Sequence, residues 1–276
     1  MVSDLSDCQS DKINLLMVHD NHIHPGYFKL QKVIMLPDNT PKPVFLRQVE
    51  DITVDSYDRS VVPNQLCRVI AANNVFSGPA GRTVIDMMET CFDHVFAIQC
   101  KRWPNEAHEW FQRRRPQGWP ASHHLQNARK DGCFAVAVGH PHSHESYLEW
   151  RLSSSFTERE LTRSFEDTVM KVYALLKMIK KRYFEPVLGD AFSSYHCKVC
   201  MLWVRERTPT ELWRTENLLY CLNMCMKQLY EWVSEGYCPD YFIVTNNIYD
   251  RKIFGTTQFI LTRLLGVLLS DDCRML

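Results

Sequence analysis

The spacing of apolar residues changes once along this chain, and that change most constrains its fold. In the first half they form short runs or weak alternations: Ile13 to Val18 (INLLMV), Phe28 to Leu36, Phe45 to Val54, Phe92 to Ile98 and Phe134 to Val138, with Pro37, Pro41 and Pro43 as breakers. Runs of this length between turn residues suit strands. The second half has a period of 3.6. Leu161, Phe165, Val169, Val172, Leu176 and Ile179 share one stripe, stopped by Pro186 and Gly189. Thr208-Pro209-Thr210-Glu211 has capping-box form, and a further helix is predicted from Glu216 to about Ser234. Thr215 would cap that helix, Leu218, Leu222, Met226, Leu229 and Val233 form its core face, and Gly236 ends it. A shorter helix is expected in KRWPNEAHEWFQRRRPQGWP, between Pro104 and Pro116. The predicted class is α+β, a mixed-sheet lobe over residues 1–155 followed by a helical lobe over 156–276.

Bulk properties narrow the function classes. The 45% hydrophobic content over 276 residues suits folded lobes with real cores. Lys plus Arg equals Asp plus Glu, so the overall basic footprint of a strong nonspecific nucleic-acid binder is lacking. The longest apolar stretch, Phe259 to Leu269, is interrupted by Thr262 and Arg263 and falls short of the ~20 residues of a membrane span. The polar start MVSDLSDCQSDK does not read as a secretory signal. Eleven scattered cysteines then read as reduced, mostly buried thiols, and the expected location is cytoplasmic, or nuclear.

The segments WRLSSSFTERELTRSF, YALLK, SSYHCKVCMLW, ENLLYCLNMCMKQLYEWV and GYCPDYFI, with DHVFAIQCK and GWPAS upstream, resemble the male-abnormal twenty-one (Mab) family, which includes cyclic GMP-AMP synthase. The resemblance runs from about Lys12 to Leu269 and is strongest from Asp93 onward. It implies a nucleotidyltransferase-like sheet lobe followed by a helix-hairpin-helix-like lobe, with nucleotide held between them. Active members join nucleoside triphosphates such as ATP and GTP using Mg²⁺ or Mn²⁺ held by three carboxylates, hard oxygen ligands that suit those ions.

Asp93, which opens the DHVFAIQCK match, takes the third carboxylate position by this resemblance and is the candidate catalytic and metal residue. Outside the family context it would read as a strand-end aspartate in a turn. The other two acids should form an Asp/Glu-x-Asp pair facing one side of a strand. Aligned on its apolar run, SDKINLLMV places Lys12 and Asn14 there; shifting the frame to Asp11 leaves Ile13 at the second position. The family's Gly-Ser phosphate loop should come just before, and residues 1–10 contain no glycine. The expectation is a lobe truncated at its amino terminus, or one that has lost the motif, and no catalysis by the family mechanism.

Positions implied to hold nucleotide are kept. Arg151 in EWRLS matches an arginine directed at a purine, Lys177 in YALLK a lysine directed at phosphate, and Ser193, Ser194 and Tyr195 in FSSYH a helix start whose tyrosine stacks on a base. The same residues also suit plain packing, with Tyr195 and His196 in the core and Arg151 paired to Glu149 or Glu160. His196, Cys197 and Cys200, with Cys221 and Cys225, offer a zinc reading, although helical cysteines are more often apolar core. GHPHSHE reads as an exposed loop in which His140, His142 and His144 lack a fourth ligand. Lys177, Lys180, Lys181, Arg182 and Arg113 to Arg115 outline a basic face for double-stranded nucleic acid, or a solvated surface.

Two functions follow as expectations. One is a catalytically degenerate module that binds a nucleoside triphosphate or protein partners, away from membranes. The other is a cyclic-dinucleotide-forming receptor of the cyclic GMP-AMP synthase type whose catalytic amino-terminal segment is missing.

Overall fold

The computed structural model describes residues 13–36, 41–43, 53–65, 75–77, 80–85 and 90–270. The chain forms two compact units: residues 1–106 with 128–155, and residues 107–127 with 156–276.

The first unit is built on antiparallel strands. β1 (Ile13–Val18) runs beside β2 (Tyr27–Met35), with Ile13 opposite Ile34 and Val18 opposite Lys29. A strand has two hydrogen-bonding edges, and β1 takes one edge of β2. The other edge is shared in turn by β11 (Glu149–Ser153), β5 (Ser60–Val61) and β3 (Pro41–Pro43). β4 (Thr53–Val54) joins β5, while β10 (Cys133–Val136) and β9 (Ala97–Cys100) continue the sheet beyond β11. A second, three-stranded sheet holds β6 (Val75–Ser77), β7 (Ala80–Ile85) and β8 (Thr90–Val95). The predicted run from Phe92 to Ile98 is thus divided at Phe96 between strands of two sheets. Of the predicted run Phe45 to Val54, residues 45–52, like Asp11 and Lys12, lie outside the described residues.

Phe28, Leu30, Ala135, Ala137 and Trp150 form the core of this unit, and the Trp150 indole N–H donates to the Val62 carbonyl at 2.8 Å. Lys29 is also buried. Its ammonium lies 3.1 Å from Asp55 and 2.6 Å from Glu145, and Arg59 bridges Asp55 to Asp20. Burial alone would raise the Asp55 pKa. Bonds from Arg59, from backbone N–H groups and from Lys29 outweigh it and hold the carboxyl at about 2.

The second unit is helical: α1 (His108–Gln112), α3 (Ser155–Arg163), α4 (Asp167–Ile179), α5 (Glu185–Leu188), α6 (Ser194–Arg207), α7 (Leu218–Glu235) and α8 (Gly255–Ser270). Helix α2 (Ser122–Asp131) begins in this unit and ends in the first. α6 is central, buried on all sides from Val199 to Glu206 and packed against α4 and α7, as expected of a core helix.

Two expectations change here. The single stripe from Leu161 to Ile179 is two helices, broken at Ser164–Glu166. The Glu166 carboxylate grips Arg205 of α6 at 3.0 and 2.5 Å, holding Glu166 extended as the residue before α4, a long-range pair that periodicity cannot register. The Thr208–Glu211 motif starts only a 3-10 turn, Thr210–Leu212, and Asn217 rather than Thr215 precedes α7. Gly236 ends α7 as expected, at φ 67°, where the left-handed region favours glycine.

Candidate nucleotide-binding site

Helix α6 begins at the FSSYH motif. The His196 side chain accepts the Ser193 backbone N–H through Nδ1 at 2.9 Å, and the Ser193 side chain accepts the His196 N–H, a reciprocal cap. With Nδ1 an acceptor, the ring proton sits on Nε2, which faces the Ile248 carbonyl at 3.4 Å. Burial lowers the His196 pKa to about 4, so the ring is neutral at pH 7. The Ser193 hydroxyl accepts in the cap and keeps its own proton to donate. Ser194 is exposed at the first helical position.

Tyr195 is half-buried, and its hydroxyl donates to Asp240 Oδ2 at 2.8 Å. Asp240 is buried, and its other oxygen accepts the Phe242 and Ile243 N–H groups at 2.8 and 3.0 Å. Burial raises the Asp240 pKa, and these hydrogen bonds oppose the shift. Lys198 sits 5.9 Å from the Tyr195 ring centre and pairs with Glu158 at 3.0 Å. The tip of Tyr195 is therefore fixed from below by a group the sequence reading missed. A signal for it existed: an Asp after Pro239 that accepts the N–H two residues on is an Asx-turn.

Lys177 is exposed on α4, its ammonium 4.5 Å from the Tyr173 ring centre. Among the described residues no carboxylate pairs with it. It lies close to the start of α6: the Cys197 thiol approaches the Leu176 carbonyl at 3.9 Å, and Lys180 and Lys177 both oppose the rise that burial imposes on the Cys197 pKa, to about 12. The second unit thus brings together Lys177 and the first turn of α6. The Ser193 and Ser194 hydroxyls, an ammonium and a held aromatic ring at one helix start suit a phosphate-bearing ligand with a flat ring.

In the first unit, Arg151 is exposed on β11, opposite Tyr27 on one side and Val136 on the other. Its charge opposes the rise that burial imposes on the Tyr27 pKa, and among the described residues it forms no ion pair with Glu149 or Glu160. Asp93 is the fourth residue of β8, opposite Arg82 of β7, and so stands within a strand rather than in a turn. Asn14 lies on β1 opposite Val33, and β1 carries no Asp or Glu from Ile13 to Val18. Among the described residues β1 pairs with β2 and β8 with β7, so no ladder joins the strands of Asn14 and Asp93.

Two further constellations resolve into packing. The Cys221 thiol donates to the Leu212 carbonyl, Cys200 to the Cys225 carbonyl, and Cys225 to the Met201 sulfur. Burial pushes Cys221 up to about 11 and Cys200 well above its ordinary value, as for thiols that pack as apolar core residues. His140 is buried rather than exposed, because the Glu149 carboxylate accepts its N–H at 2.8 Å and its ring stacks 3.5 Å from that of His24.

The basic face also shrinks. Arg113 and Arg115 are largely buried around the Glu206 carboxylate, at 3.4 and 3.3 Å. Arg113 stacks on Trp203 and Tyr241, and Arg115 lies over Trp110. They anchor residues 107–127 in the helical unit and leave only Arg114 of that run exposed.

Comparison with known proteins agrees with the two-part architecture. A family model described as the Mab-21 protein nucleotidyltransferase domain matches residues 43–164, and one described as the Mab-21 protein HhH/H2TH-like domain matches residues 168–263. The junction falls at the break between α3 and α4. A cyclic GMP-AMP synthase-like receptor from Magallana gigas is 29% identical over 144 residues, covering 49% of this chain and 24% of that protein. The chain therefore matches about a quarter of that relative's length.

Proposed function

The chain belongs to the Mab-21 family, and from that premise we propose that it is a catalytically degenerate member that binds a nucleoside triphosphate. The observation that carries this reading is the cluster at the start of α6, where Lys177 has no described carboxylate partner and Tyr195 is held by Asp240. In this reading Lys177 meets the phosphates as a point charge, the first N–H groups of α6 and the Ser193 and Ser194 hydroxyls donate to phosphate oxygens, and the Tyr195 ring stacks on the base. Arg151 and Asp93 enter by the family pattern alone.

The family typically uses a divalent metal with nucleoside triphosphates. Two such ions need an acidic pair on the strand that β1 would supply. Neither frame of SDKINLLMV supplies that pair, since one gives Lys12 with Asn14 and the other Asp11 with Ile13, and β1 itself carries no carboxylate. That donor set does not fit the metals, and no step is derived through them.

A second reading, synthesis of a cyclic dinucleotide, is favoured by the match to the receptor from Magallana gigas. One assay separates the two. Incubated with ATP, GTP and Mg²⁺ or Mn²⁺, with or without double-stranded RNA or DNA, the protein is expected to give no cyclic dinucleotide. A product that disappears in Asp93→Ala would overturn the degenerate reading.

A further inference from the structure

Cys100 and Cys133 face each other directly on the antiparallel strands β9 and β10. β9 is the last strand at its end of the sheet, Cys100 is half-buried and Cys133 is buried. Both side chains lie on one face of the sheet. Cys100 packs with Ile98 against the cluster that contains Ala135, two residues along from Cys133; the Cys100 thiol donates to the Ile98 carbonyl at 3.6 Å and the Cys133 thiol to the Arg102 carbonyl at 3.3 Å. Opposed residues of an antiparallel ladder have Cα atoms about 4.5 or 5.5 Å apart, depending on the pair type. Either spacing lies inside the ~4.4–6.8 Å range that a disulfide spans. The backbone spacing therefore admits a disulfide between them.

The pair also differs from the thiols of the helical unit. The neighbouring Cys133 thiol lowers the Cys100 pKa against the effect of burial, while the Cys133 pKa is raised. Burial instead pushes Cys197, Cys200, Cys221 and Cys238 of the helical unit upward. A partly accessible thiol beside a second thiol that can resolve it is an arrangement that peroxides convert to a disulfide.

We infer that Cys100 and Cys133 form a reversible intrachain disulfide when the protein meets a peroxide. The Cys100 thiolate attacks one peroxide oxygen, the O–O bond breaks, and Cys100 becomes a sulfenic acid as hydroxide leaves and is protonated to water. The Cys133 sulfur then attacks the Cys100 sulfur, forming the S–S bond and expelling the sulfenic oxygen as a second water. Two thiols lose two electrons and two protons, and one peroxide is reduced to two waters. The bond staples β9, which follows the Asp93 strand after the single residue Phe96, to its neighbour β10.

The test treats the full chain with hydrogen peroxide, alkylates the remaining thiols and maps all eleven cysteines by peptide mass. The expected result is a linked Cys100–Cys133 peptide pair that dithiothreitol separates. In Cys133→Ser, where no resolving thiol remains, dimedone should label Cys100 as a sulfenic acid. The inference is overturned if both cysteines stay as free thiols while others oxidise, if Cys100 links to a different cysteine, or if dimedone labels Cys133 of a Cys100→Ser chain in preference to Cys100 of the other variant. Should Cys133→Ser fail to fold, the linked peptide in the unaltered chain decides the matter.

Discussion

The two units use buried and exposed charge differently. In the sheet unit, Lys29, Asp55, Glu145, Arg59 and Asp20 close on one another at hydrogen-bond distance beside β1, and β1 itself carries no carboxylate. In the helical unit, Arg113, Arg115 and Arg205 are likewise consumed by Glu206 and Glu166, but Lys177 stays exposed beside the start of a long helix. The first arrangement fixes a fold, and the second leaves a charge available to an anion. Family membership alone would have predicted ligand chemistry in both.

Replacing one charge in each unit should break that comparison if it is mistaken. Lys29→Met leaves Asp55 and Glu145 without their shared cation and should cost about 3–5 kcal/mol of stability, read as a lower midpoint in urea, with nucleotide affinity unchanged in the folded protein. Lys177→Ala should do the reverse, weakening ATP binding with Tm nearly constant. A stable Lys29→Met chain, or a Lys177→Ala chain with full affinity, would erase the distinction.

The cap of α6 gives the next largest effect. The folded pKa of His196 is depressed from 6.5 to about 4, so between those values the unfolded chain binds more protons than the folded one. Stability should therefore be complete above pH 6.5 and fall as pH drops towards 4, by about 3 kcal/mol from this group. His196→Gln keeps an acceptor for the Ser193 N–H and removes the titration. Its denaturation midpoint should vary less across this window than that of the unaltered chain, and an equal slope in both would show that the ring does not carry the dependence.

A smaller effect is expected below Tyr195. Asp240→Ala strands two buried N–H groups and the tyrosine hydroxyl, which should cost about 1–3 kcal/mol. It should also weaken nucleotide binding although the ring itself remains, because the ring is no longer held. Undiminished affinity in the folded variant would mean that Asp240 serves the fold only.

Local order was largely legible and long-range order was not. β1, β2 and β10 follow from their apolar runs, and the ends of α5 and α7 from Gly189 and Gly236, since these signals act within a few residues, whereas Pro186 sits in the first turn of α5 instead of stopping a helix. The break between α3 and α4 was hidden because Arg205, 39 residues from Glu166, enforces it. The burial of Arg113 and Arg115 was hidden for the same reason, with Glu206 91 residues beyond Arg115. At the candidate site, FSSYH read correctly as a helix start, while Asp240 went unnoticed because its turn lies 45 residues from Tyr195.

The central claim is that the start of α6 holds a nucleotide base on Tyr195. Calorimetric titration of ATP and of GTP into the unaltered chain, Tyr195→Phe and Tyr195→Ala tests it most directly. The account predicts saturable binding of at least one nucleotide, weakened in Tyr195→Phe only to the extent seen in Asp240→Ala, since both lose the bond that holds the ring, and reduced further, roughly 5- to 150-fold, in Tyr195→Ala, the loss of about 1–3 kcal/mol of base stacking. No binding to the unaltered chain, or equal affinity in all three, would contradict it.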